Sequence, residues 1–558
     1  MADYLKFLSE PLNQHEGKKH IIIVGAGIIG VCTAYYIVNH PKYDPKQYHI
    51  TILESKRVAG GASGKAGGLL ALWAFPQQLV PLSFELHQQL SDKYNGEQEW
   101  NYRRLTTVSL EGDLSHLQNV DNDDSDEDSD DELEDDSEEI LDHEQENVTD
   151  DQLANKQVNS QNTIPPKLQN GVIEGGELIV EETYKQSQHH DSDSSSSLSD
   201  KPPKKTFRST KPKSSLITSS TEPEPNPKSK RKTKTLLPPD LNWITSSLIT
   251  NCSNLGGTDT TAQVHPYKFT NFILKKAVED SKGSIDLIIG KVNQILFSME
   301  TGKAIGVNYT PTSLKNKTND DEIKLFGDQI VLSVGPWTSK ILPDCPISGL
   351  RAHSITIAPF KYQPVSPYAI FTEFKTGPYK YISPEIYARQ DEVYVCGEGD
   401  SAVDVPETTD DVEVVKSKCD ELFKHVGKIS PNLRKGHVLK KQACYLPVLD
   451  VPSSSGPLIG ETNVENLFLA SGHSCWGINN APATGKVMSE LLLDGEAISA
   501  DILGLDPSLY FDASVLVNDE DDGLYHESNF EENAKTTNTD SQKDDNKNSV
   551  TKNEPISV

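Results

Sequence analysis

The first strong hydrophobic pattern in the chain is an uninterrupted apolar run at residues 21–24, which leads directly into a glycine-rich turn. A helical stretch through Tyr35 and Val38 follows, and a second apolar run ends at Glu54. Strand, turn, helix and strand in this order predict the start of a parallel sheet with helices on its faces.

Later segments return to the same predicted sheet. A helix is predicted at 266–279, because apolar residues recur there at helical spacing after a proline. The further elements predicted for this sheet are strands near Leu287 and Val292, a buried strand within 328–338, a strand at 466–470 and a helix at about 482–492.

A different pattern, with apolar and polar residues alternating, occupies 347–357, 368–374, 379–384 and 392–398. Alternation of this kind predicts an antiparallel sheet with one buried face. The sequence therefore predicts an α/β fold with a Rossmann-like nucleotide-binding domain and an α+β second domain. The expected boundaries are 1–82, 259–345 and 441–511 for the nucleotide domain, and 83–112, 241–258 and 346–440 for the substrate domain.

Charge changes this picture, because most of the formal net charge of −30 is concentrated in two segments. Residues 121–146 contain 17 acidic residues and no Lys or Arg, and residues 512–558 contain 12 acidic residues and 4 Lys. Residues 201–234, in contrast, contain 11 basic and 2 acidic residues. Residues 113–240 and 512–558 are poor in apolar residues, so we expect a disordered charged insert and a disordered acidic tail.

The basic runs at 201–208 and 227–234 resemble nuclear-localisation or anionic-membrane patches. A nucleic-acid groove would need interleaved aromatic residues, and Phe207 alone does not supply them, so no nucleic acid is expected. A protein or an anionic membrane is the expected partner of the insert.

Targeting signals point to the cytoplasm. No apolar run is long enough to span a bilayer, and the N-terminal residues do not form a secretory signal. The seven cysteines form no CxxC pair, which favours a reducing compartment and argues against a metal site. Peripheral attachment to endosomal or other internal membranes, and the nucleus, are the alternatives to a purely cytoplasmic location.

The turn at Gly25, Gly27 and Gly30 has the spacing of a dinucleotide-binding loop, with Ala26, Ile28 and Ile29 between the glycines. Such a loop directs the N-terminus of the following helix at a pyrophosphate. Glu54 lies 24 residues after Gly30, near the spacing of the acid that binds a ribose. A carboxylate there suits a 2′-hydroxyl and repels a 2′-phosphate, so NADP is not expected.

A second glycine-rich segment, residues 60–68, follows Glu54 closely. Its glycines allow the backbone to lie flat against a planar ligand, and Ser63 and Lys65 add polar groups. The purely structural alternative is a flexible loop. A third glycine-containing loop, at 472–477, follows the strand predicted at 466–470 and opens into a helix.

Taken together, five motifs resemble the FAD-dependent D-amino-acid oxidase and sarcosine oxidase superfamily, and most closely its fungal oxidoreductases. The motifs are VGAGIIG at 24–30, ILE at 52–54, GGASGKAGG at 60–68, VLSVGPWTS at 331–339 and GHSCWGINNAPATGK at 472–486. The resemblance implies bound FAD, with Glu54 on the adenosine ribose, Val292 near adenine, and segments 60–68 and 472–477 flanking the isoalloxazine. The cofactor-binding residues expected on this basis are Gly25, Ala26, Gly27, Ile28, Ile29, Gly30, Glu54, Ser55, Gly61, Ala62, Ser63, Lys65, Ala66, Gly67, Gly68, Val292, Gly335, Trp337, Gly472, His473, Trp476, Gly477 and Ile478.

In this family an arginine, often with a tyrosine, holds the substrate carboxylate. The candidates here are Arg351, Arg389, Tyr381 and Tyr394, and Arg351 ranks first because it lies in an apolar strand pattern. Arg389 is expected in a solvent-exposed hairpin loop.

The family often has Pro-Arg where this chain has Pro384 and Glu385, which puts simple amino-acid recognition in doubt. His473 completes the expected catalytic set of Arg351, Tyr381 and His473, although a structural role at the flavin loop is the better interpretation of this histidine.

The favoured function is oxidation of a C–N bond in an amine or amino acid, with hydride transfer to the flavin and electrons passing to oxygen or another acceptor. Two alternatives stay open. One is a flavin-retaining interaction or trafficking factor that acts through its charged insert, and the other is an NAD-dependent dehydrogenase.

Overall fold

The protein is described from a computed structural model, which describes residues 7–12, 17–119, 236–312, 322–361, 364–452, 454, 456–518 and 524–525. The strands along this part of the chain are β1 (Phe7–Leu8), β2 (Lys19–Val24), β3 (Tyr48–Glu54), β4 (Leu69–Ala71), β5 (Arg103–Arg104), β6 (Thr106–Asp113), β7 (Ile249–Gly256), β8 (Thr261–Gln263), β9 (Ile285–Ser298), β10 (Ala304–Pro311), β11 (Ile323–Phe326), β12 (Gln329–Leu332), β13 (Ile347–Ala358), β14 (Tyr368–Gly377), β15 (Lys380–Ile382), β16 (Glu385–Ala388), β17 (Val393–Asp400), β18 (His437–Leu449), β19 (Leu458–Glu461), β20 (Leu467–Ser471) and β21 (Leu524–Tyr525).

The α-helices are α1 (Ile28–Val38), α2 (Ala62–Lys65), α3 (Val80–Tyr94), α4 (Gly96–Trp100), α5 (Pro266–Asp280), α6 (Thr338–Ile341), α7 (Lys416–Ile429), α8 (Pro431–Arg434), α9 (Gly477–Asp494) and α10 (Val515–Asn518). Within the described ranges, no helix is long and apolar enough to cross a membrane.

The larger sheet has a parallel centre. Its strands follow the order β11-β10-β9-β3-β2-β12-β20-β19, with β1 and β21 added on β9. The pairs β9-β3, β3-β2, β2-β12 and β12-β20 are parallel, and Ile23 lies between Ile52 and Val331 in the register. The carboxyl ends of these strands therefore meet at one edge, where ligands bind in sheets of this kind.

Helices cover the faces of this sheet. Helix α5 begins at Pro266, whose fixed φ suits the first helical turn, and it buries Phe269, Ile273 and Ala277 at a spacing of four residues. Helices α1 and α9 pack closely, because Gly485 has no Cβ, and one built there would lie 2.5 Å from the backbone of Cys32.

The second sheet follows the order β18-β13-β17-β16-β14-β6-β7, with β15 added on β14. All its pairs are antiparallel except β14-β6. A small antiparallel sheet, β4-β8-β5, lies apart from both. The mixed α/β fold expected from the sequence is confirmed.

Two expected domain boundaries differ from the packing. Residues 83–102 were assigned to the substrate domain, but Phe84, Leu90 and Trp100 are buried in the same cluster as Ile21 and Ile23 of the parallel sheet. Strand β18 crosses the boundary expected at 440 and belongs to the second sheet along its whole length. Helical periodicity and strand alternation identify an element but do not reveal which core it joins.

The ends of the expected insert are also folded. Leu114 and Leu237 are buried in the core beneath the second sheet, so the folded chain extends through Asn119 and resumes at residue 236. Residues 120–235, the greater part of the insert, lie outside the described residues.

The expected acidic tail begins later than predicted, because Ala513 is buried against the larger sheet and Leu524 pairs with β9. Residues 526–558 lie outside the described residues.

Candidate functional site

The turn after β2 is shaped by two glycines that pack against protein. A Cβ on Gly25, where φ is +102°, would lie 2.6 Å from the carbonyl oxygen of Ser333. A Cβ on Gly30 would lie 2.1 Å from the carbonyl oxygen of Gly25. Both positions therefore require glycine for the turn itself, which brings the N-terminus of α1 to the edge of the sheet.

The middle glycine is different, because it borders open space. A Cβ on Gly27 would have one neighbour, the Ser63 hydroxyl at 3.2 Å. That hydroxyl accepts a hydrogen bond from the backbone N–H of Ile28 at 2.9 Å, which ties the turn to the 60–68 loop. Gly27 is thus the position at which the backbone can be approached by an anionic ligand at the start of α1.

A cavity of about 540 Å³ extends from this turn along the edge of the sheet, within the size range of cofactor sites. Most residues expected to bind the cofactor line it: Gly25, Gly27, Ile28, Ile29, Glu54, Ser55, Gly61, Ala62, Ser63, Ala66, Val292, Gly335, Trp337, His473, Gly477 and Ile478. The remaining residues expected to bind the cofactor do not line it, namely Ala26, Gly30, Lys65, Gly67, Gly68, Gly472 and Trp476.

Glu54 lines the cavity with a carboxylate that is already oriented. Its Oε2 accepts from the N–H of Ala26 at 3.0 Å, and its Oε1 accepts from the N–H of Lys56 and the hydroxyl of Ser55, each at 3.1 Å. Burial raises the pKa of Glu54, while these hydrogen bonds oppose the shift. A carboxylate has about four lone-pair sites, so it can still accept from a ligand hydroxyl.

Polar groups on the cavity wall fit a polar, elongated cofactor such as FAD. The hydroxyls of Thr409 and Ser474 line the cavity, are buried, and have no hydrogen-bond partner among the described residues. Buried polar atoms without partners are rare, so both hydroxyls are placed to bind a ligand.

A charged wall also borders the cavity. Lys291 and Lys340 both hydrogen-bond the carboxylate of Glu407, which holds the pKa of Glu407 at about 2. Glu407, Thr409 and Ser333 also line the cavity but were not expected from the sequence. Glu407 and Thr409 come from a segment without a recognisable motif, whereas Ser333 lies inside the VLSVGPWTS motif, which could have identified it.

The 60–68 loop is clamped by the second sheet. Arg389 donates to the carbonyl oxygens of Ala66 and Gly67 and forms an ion pair with Glu392 at 2.6 Å. Arg389 lies in the hairpin loop between β16 and β17, as expected, but it is only 5% exposed, so the expected exposure to solvent is wrong. The guanidinium is held by backbone carbonyls, a contact that strand periodicity could not reveal.

His473 lines the cavity as a neutral histidine. Its Nε2 lies 3.0 Å from the Thr484 hydroxyl, and burial lowers its pKa to about 3. Above that pH the ring carries no charge. These contacts agree with a role in shaping the loop before α9.

The second sheet presents two different faces. Its inner face, which contacts the nucleotide half, carries Tyr387 and Tyr394, packed with Leu69 and Trp476. Its outer face carries Ile355, Ile386 and Val395, packed with α7. Since side chains alternate along a strand, each residue's position decides whether it faces the cavity.

Arg351 belongs to the outer face. It lies four residues before Ile355 on β13, so the two side chains point to the same face of the sheet. It forms ion pairs with Asp400 and Glu413, both at 3.0 Å. Asp400 also pairs with Lys418 of α7. The prediction that Arg351 binds a substrate carboxylate is therefore not supported, because its cost of burial is offset by these carboxylates on the far side of the sheet.

Tyr381 also lies away from the cavity. It is 52% exposed on β15 and borders a separate surface hollow with Leu114, Lys380 and His425. An edge strand added to the outside of the sheet cannot place this tyrosine over the cofactor. Tyr394, in contrast, is buried on the inner face.

Around Tyr387 the inner face is aromatic and carries one carboxylate. The rings of Tyr387 and Tyr394 are stacked, with centroids 5.8 Å apart and planes 6° apart. The Tyr387 hydroxyl donates to Glu385, and the thiol of Cys396 lies 3.7 Å from the same carboxylate oxygen.

The nucleotide half meets this face at Gly67 and at Cys475. A Cβ on Gly67 would lie 2.1 Å from the Tyr387 ring, so only glycine permits this contact. Cys475 lines the cavity with an exposed side chain, and its thiol lies close enough to Glu385 to interact electrostatically with that carboxylate. The cofactor cavity and the inner face therefore adjoin at Cys475.

Fold and site together define a flavoprotein oxidoreductase, and comparison with known proteins gives its family. The chain belongs to the FAD dependent oxidoreductase family, whose model matches residues 20–158 and 232–491. It is 50% identical to the "Putative oxidoreductase TDA3" of Saccharomyces cerevisiae, over 91% of this chain and 98% of that protein. It is 29% identical to the "Putative oxidoreductase C1F5.03c" of Schizosaccharomyces pombe, over 88% of this chain and 98% of the relative.

Solved structures share the fold at low sequence identity. Glycine oxidase from Geobacillus kaustophilus aligns with a TM-score of 0.52 and 13% identity, over 88% of this chain and 98% of that chain. Iminodiacetate oxidase from Chelativorans sp. BNC1 aligns with a TM-score of 0.51 and 14% identity, over 87% of this chain and 98% of that chain. The cofactor is FAD, as the sequence motifs predicted.

Proposed function

We propose that the protein oxidises a C–N bond of an amine or an amino acid. The observation that carries this proposal is the junction at Cys475, where the cofactor cavity adjoins an aromatic face whose carboxylate, Glu385, suits a substrate nitrogen. The solved structures with this fold support it, since their names refer to glycine and iminodiacetate.

The nucleotide half would hold the cofactor through its backbone. Gly27 and the N-terminus of α1 suit the pyrophosphate, and Glu54 suits a ribose hydroxyl while repelling a 2′-phosphate. Val292 lies on the wall assigned to adenine. Bound FAD supplies a hydride acceptor, and oxygen or another oxidant would then remove the electrons.

The inner face would bind and shield the substrate. Tyr387, Tyr394 and Trp476 form a buried aromatic wall, so a substrate bound against them would be shielded from water on that side, which would strengthen its polar contacts. His473 is neutral and hydrogen-bonded to Thr484, so it contributes position and not a positive charge.

The cytoplasm is the proposed compartment. All seven cysteines are free thiols, and several of them, including Cys32 and Cys419, are fully buried within the core. Free thiols in this number suit a reducing environment.

The proposal is tested with the purified protein. Its visible spectrum and the cofactor released on denaturation should identify FAD, and anaerobic mixing with a panel of amines and amino acids should bleach the flavin with at least one compound. Free FAD with the same panel is the control. If no amine or amino acid bleaches the bound flavin, the proposed reaction is wrong.

A further inference from the structure

The charges on the inner face are unusual for a site that would receive an amino acid. Arg351 points to the outer face, where Asp400 and Glu413 neutralise it. Arg389 is on the inner face, but its N–H groups are used by the carbonyls of Ala66 and Gly67 and by Glu392. Neither guanidinium is available to a substrate carboxylate.

Lys65 is the other cation near this face, and it is also engaged. Its ammonium donates to the carbonyl of Ala443 at 2.9 Å, next to Cys444. This contact places the ammonium against β18, where the charged residues that act on it are Arg57 and Asp410. Burial lowers the pKa of Lys65.

Glu385 is the acidic group in this region, and the described residues contain no cation paired with it. Its polar neighbours are the Tyr387 hydroxyl and the Cys396 thiol, which can only partly offset the cost of burying a carboxylate. Burial accordingly raises the pKa of Glu385. A cation brought to this point would complete an ion pair in a low-dielectric site.

Aromatic rings surround the same place. Tyr387 stacks on Tyr394, and Phe371 meets Tyr387 edge to face at 6.1 Å. Trp73 meets Trp476 at 5.4 Å, with their planes 89° apart. Aromatic faces attract cations, most strongly when water is excluded. The rings and the carboxylate therefore both favour a positively charged ligand.

We propose that the substrate is a cationic amine without a carboxylate, and that Glu385 binds its ammonium group within the aromatic face. The proposal rests on the proposed C–N oxidation and narrows its substrate class. An amino acid would place its carboxylate beside Glu385 with no free arginine to receive it, and this repulsion would select against it.

The first test measures binding to the FAD-loaded protein, without turnover. Benzyltrimethylammonium, which has no nitrogen lone pair to drive oxidation, and benzoate are each titrated while the visible flavin spectrum is recorded. The cation should produce a saturable spectral change, and its dissociation constant should be at least about tenfold lower than that of benzoate. Equal or tighter binding of benzoate would overturn the proposal.

Two variants locate the effect. Glu385→Gln keeps the shape and removes the charge, and it should weaken binding of the cation by about tenfold or more. Glu373→Gln on the neighbouring strand β14 removes an exposed carboxylate and should leave binding unchanged. If Glu385→Gln binds the cation as the wild type does, the proposal is wrong. The comparison of the two ligands on the wild type stands even if this variant folds poorly.

Turnover separates this inference from the function on which it rests. Benzylamine and phenylglycine differ by one carboxylate, and each is mixed anaerobically with the protein. Bleaching by benzylamine alone supports the inference. Bleaching by phenylglycine alone overturns the inference and leaves C–N oxidation standing, whereas binding of the cation without bleaching by any amine or amino acid overturns the proposed function.

Discussion

The nucleotide half and the inner face of the second sheet build one site by different means. In the nucleotide half, backbone groups form the chemistry, and local motifs such as Gly25 to Gly30 position them. On the inner face, side chains form the chemistry, and the alternation of side chains along each strand places Glu385 on the inner face and Arg351 on the outer face. A cofactor site can therefore be recognised from a motif, whereas substrate selection here depends on the direction of individual side chains.

The largest expected effect is in the nucleotide half. Gly27→Leu should abolish FAD binding, because the added side chain would occupy the cavity at the start of α1. FAD released per mole of protein measures the effect. Gly504→Leu is the matched control, since a Cβ at Gly504 meets nothing within 4 Å. Full FAD content in a folded Gly27→Leu protein would show that the cofactor lies elsewhere.

The second-largest effect is expected from removing the contact that connects the two halves. Arg389→Ala should lower the free energy of unfolding by about 3–5 kcal/mol, because it leaves Glu392 and two loop carbonyls without their buried partner. Urea unfolding measures this loss, and the affinity for FAD should fall with it. A loss below about 1 kcal/mol would mean that the clamp on the 60–68 loop is not stabilising.

Arg351→Ala sharpens the contrast between the two faces. We expect a loss of about 1–3 kcal/mol in the free energy of unfolding, because Asp400 keeps Lys418 as a second partner. The flavin spectrum and the binding of cationic and anionic ligands should not change. A selective loss of carboxylate binding in this variant would place Arg351 in the site after all.

The smallest effect concerns the wall where the halves meet. Lys291 and Lys340 hold the pKa of Glu407 at about 2, below its ordinary value, so the ion pairs stabilise the folded state above about pH 4.5. This contribution is lost as the pH falls towards 2.

Because the Glu407 side chain is 63% exposed, solvent screening limits the contribution to below about 1 kcal/mol. The difference in unfolding free energy between wild type and Glu407→Gln should shrink as the pH falls through this window. A difference that grows on acidification would contradict the assignment.

Sequence alone predicted the parts that depend on local order. The turn at Gly25, Glu54 at its spacing, and helix α5 after Pro266 are all fixed by residues close together in the chain. The two strands predicted near Leu287 and Val292 are parts of a single strand, β9, which runs through both positions.

The parts that could not be predicted depend on distant contacts. Glu407 and Thr409 reach the cavity from a segment with no motif of its own. The faces of Arg351 and Arg389 depend on which neighbouring strands and loops pack against them, and the register between β13 and β17 shifts between Ala352 and Ser354. Arg351 is buried, as its apolar strand pattern indicated, but the carboxylates that offset the cost of burying its charge are Asp400 and Glu413 and not a substrate.

A crystal structure of the protein with FAD tests the central claim most directly, namely that both halves build one site. We predict that the pyrophosphate lies against Gly27, that Glu54 contacts a ribose, and that the flavin ring lies beside Cys475 and faces the Tyr387 side of the second sheet. A flavin ring directed away from Cys475, towards Lys291 and Glu407, would contradict the account.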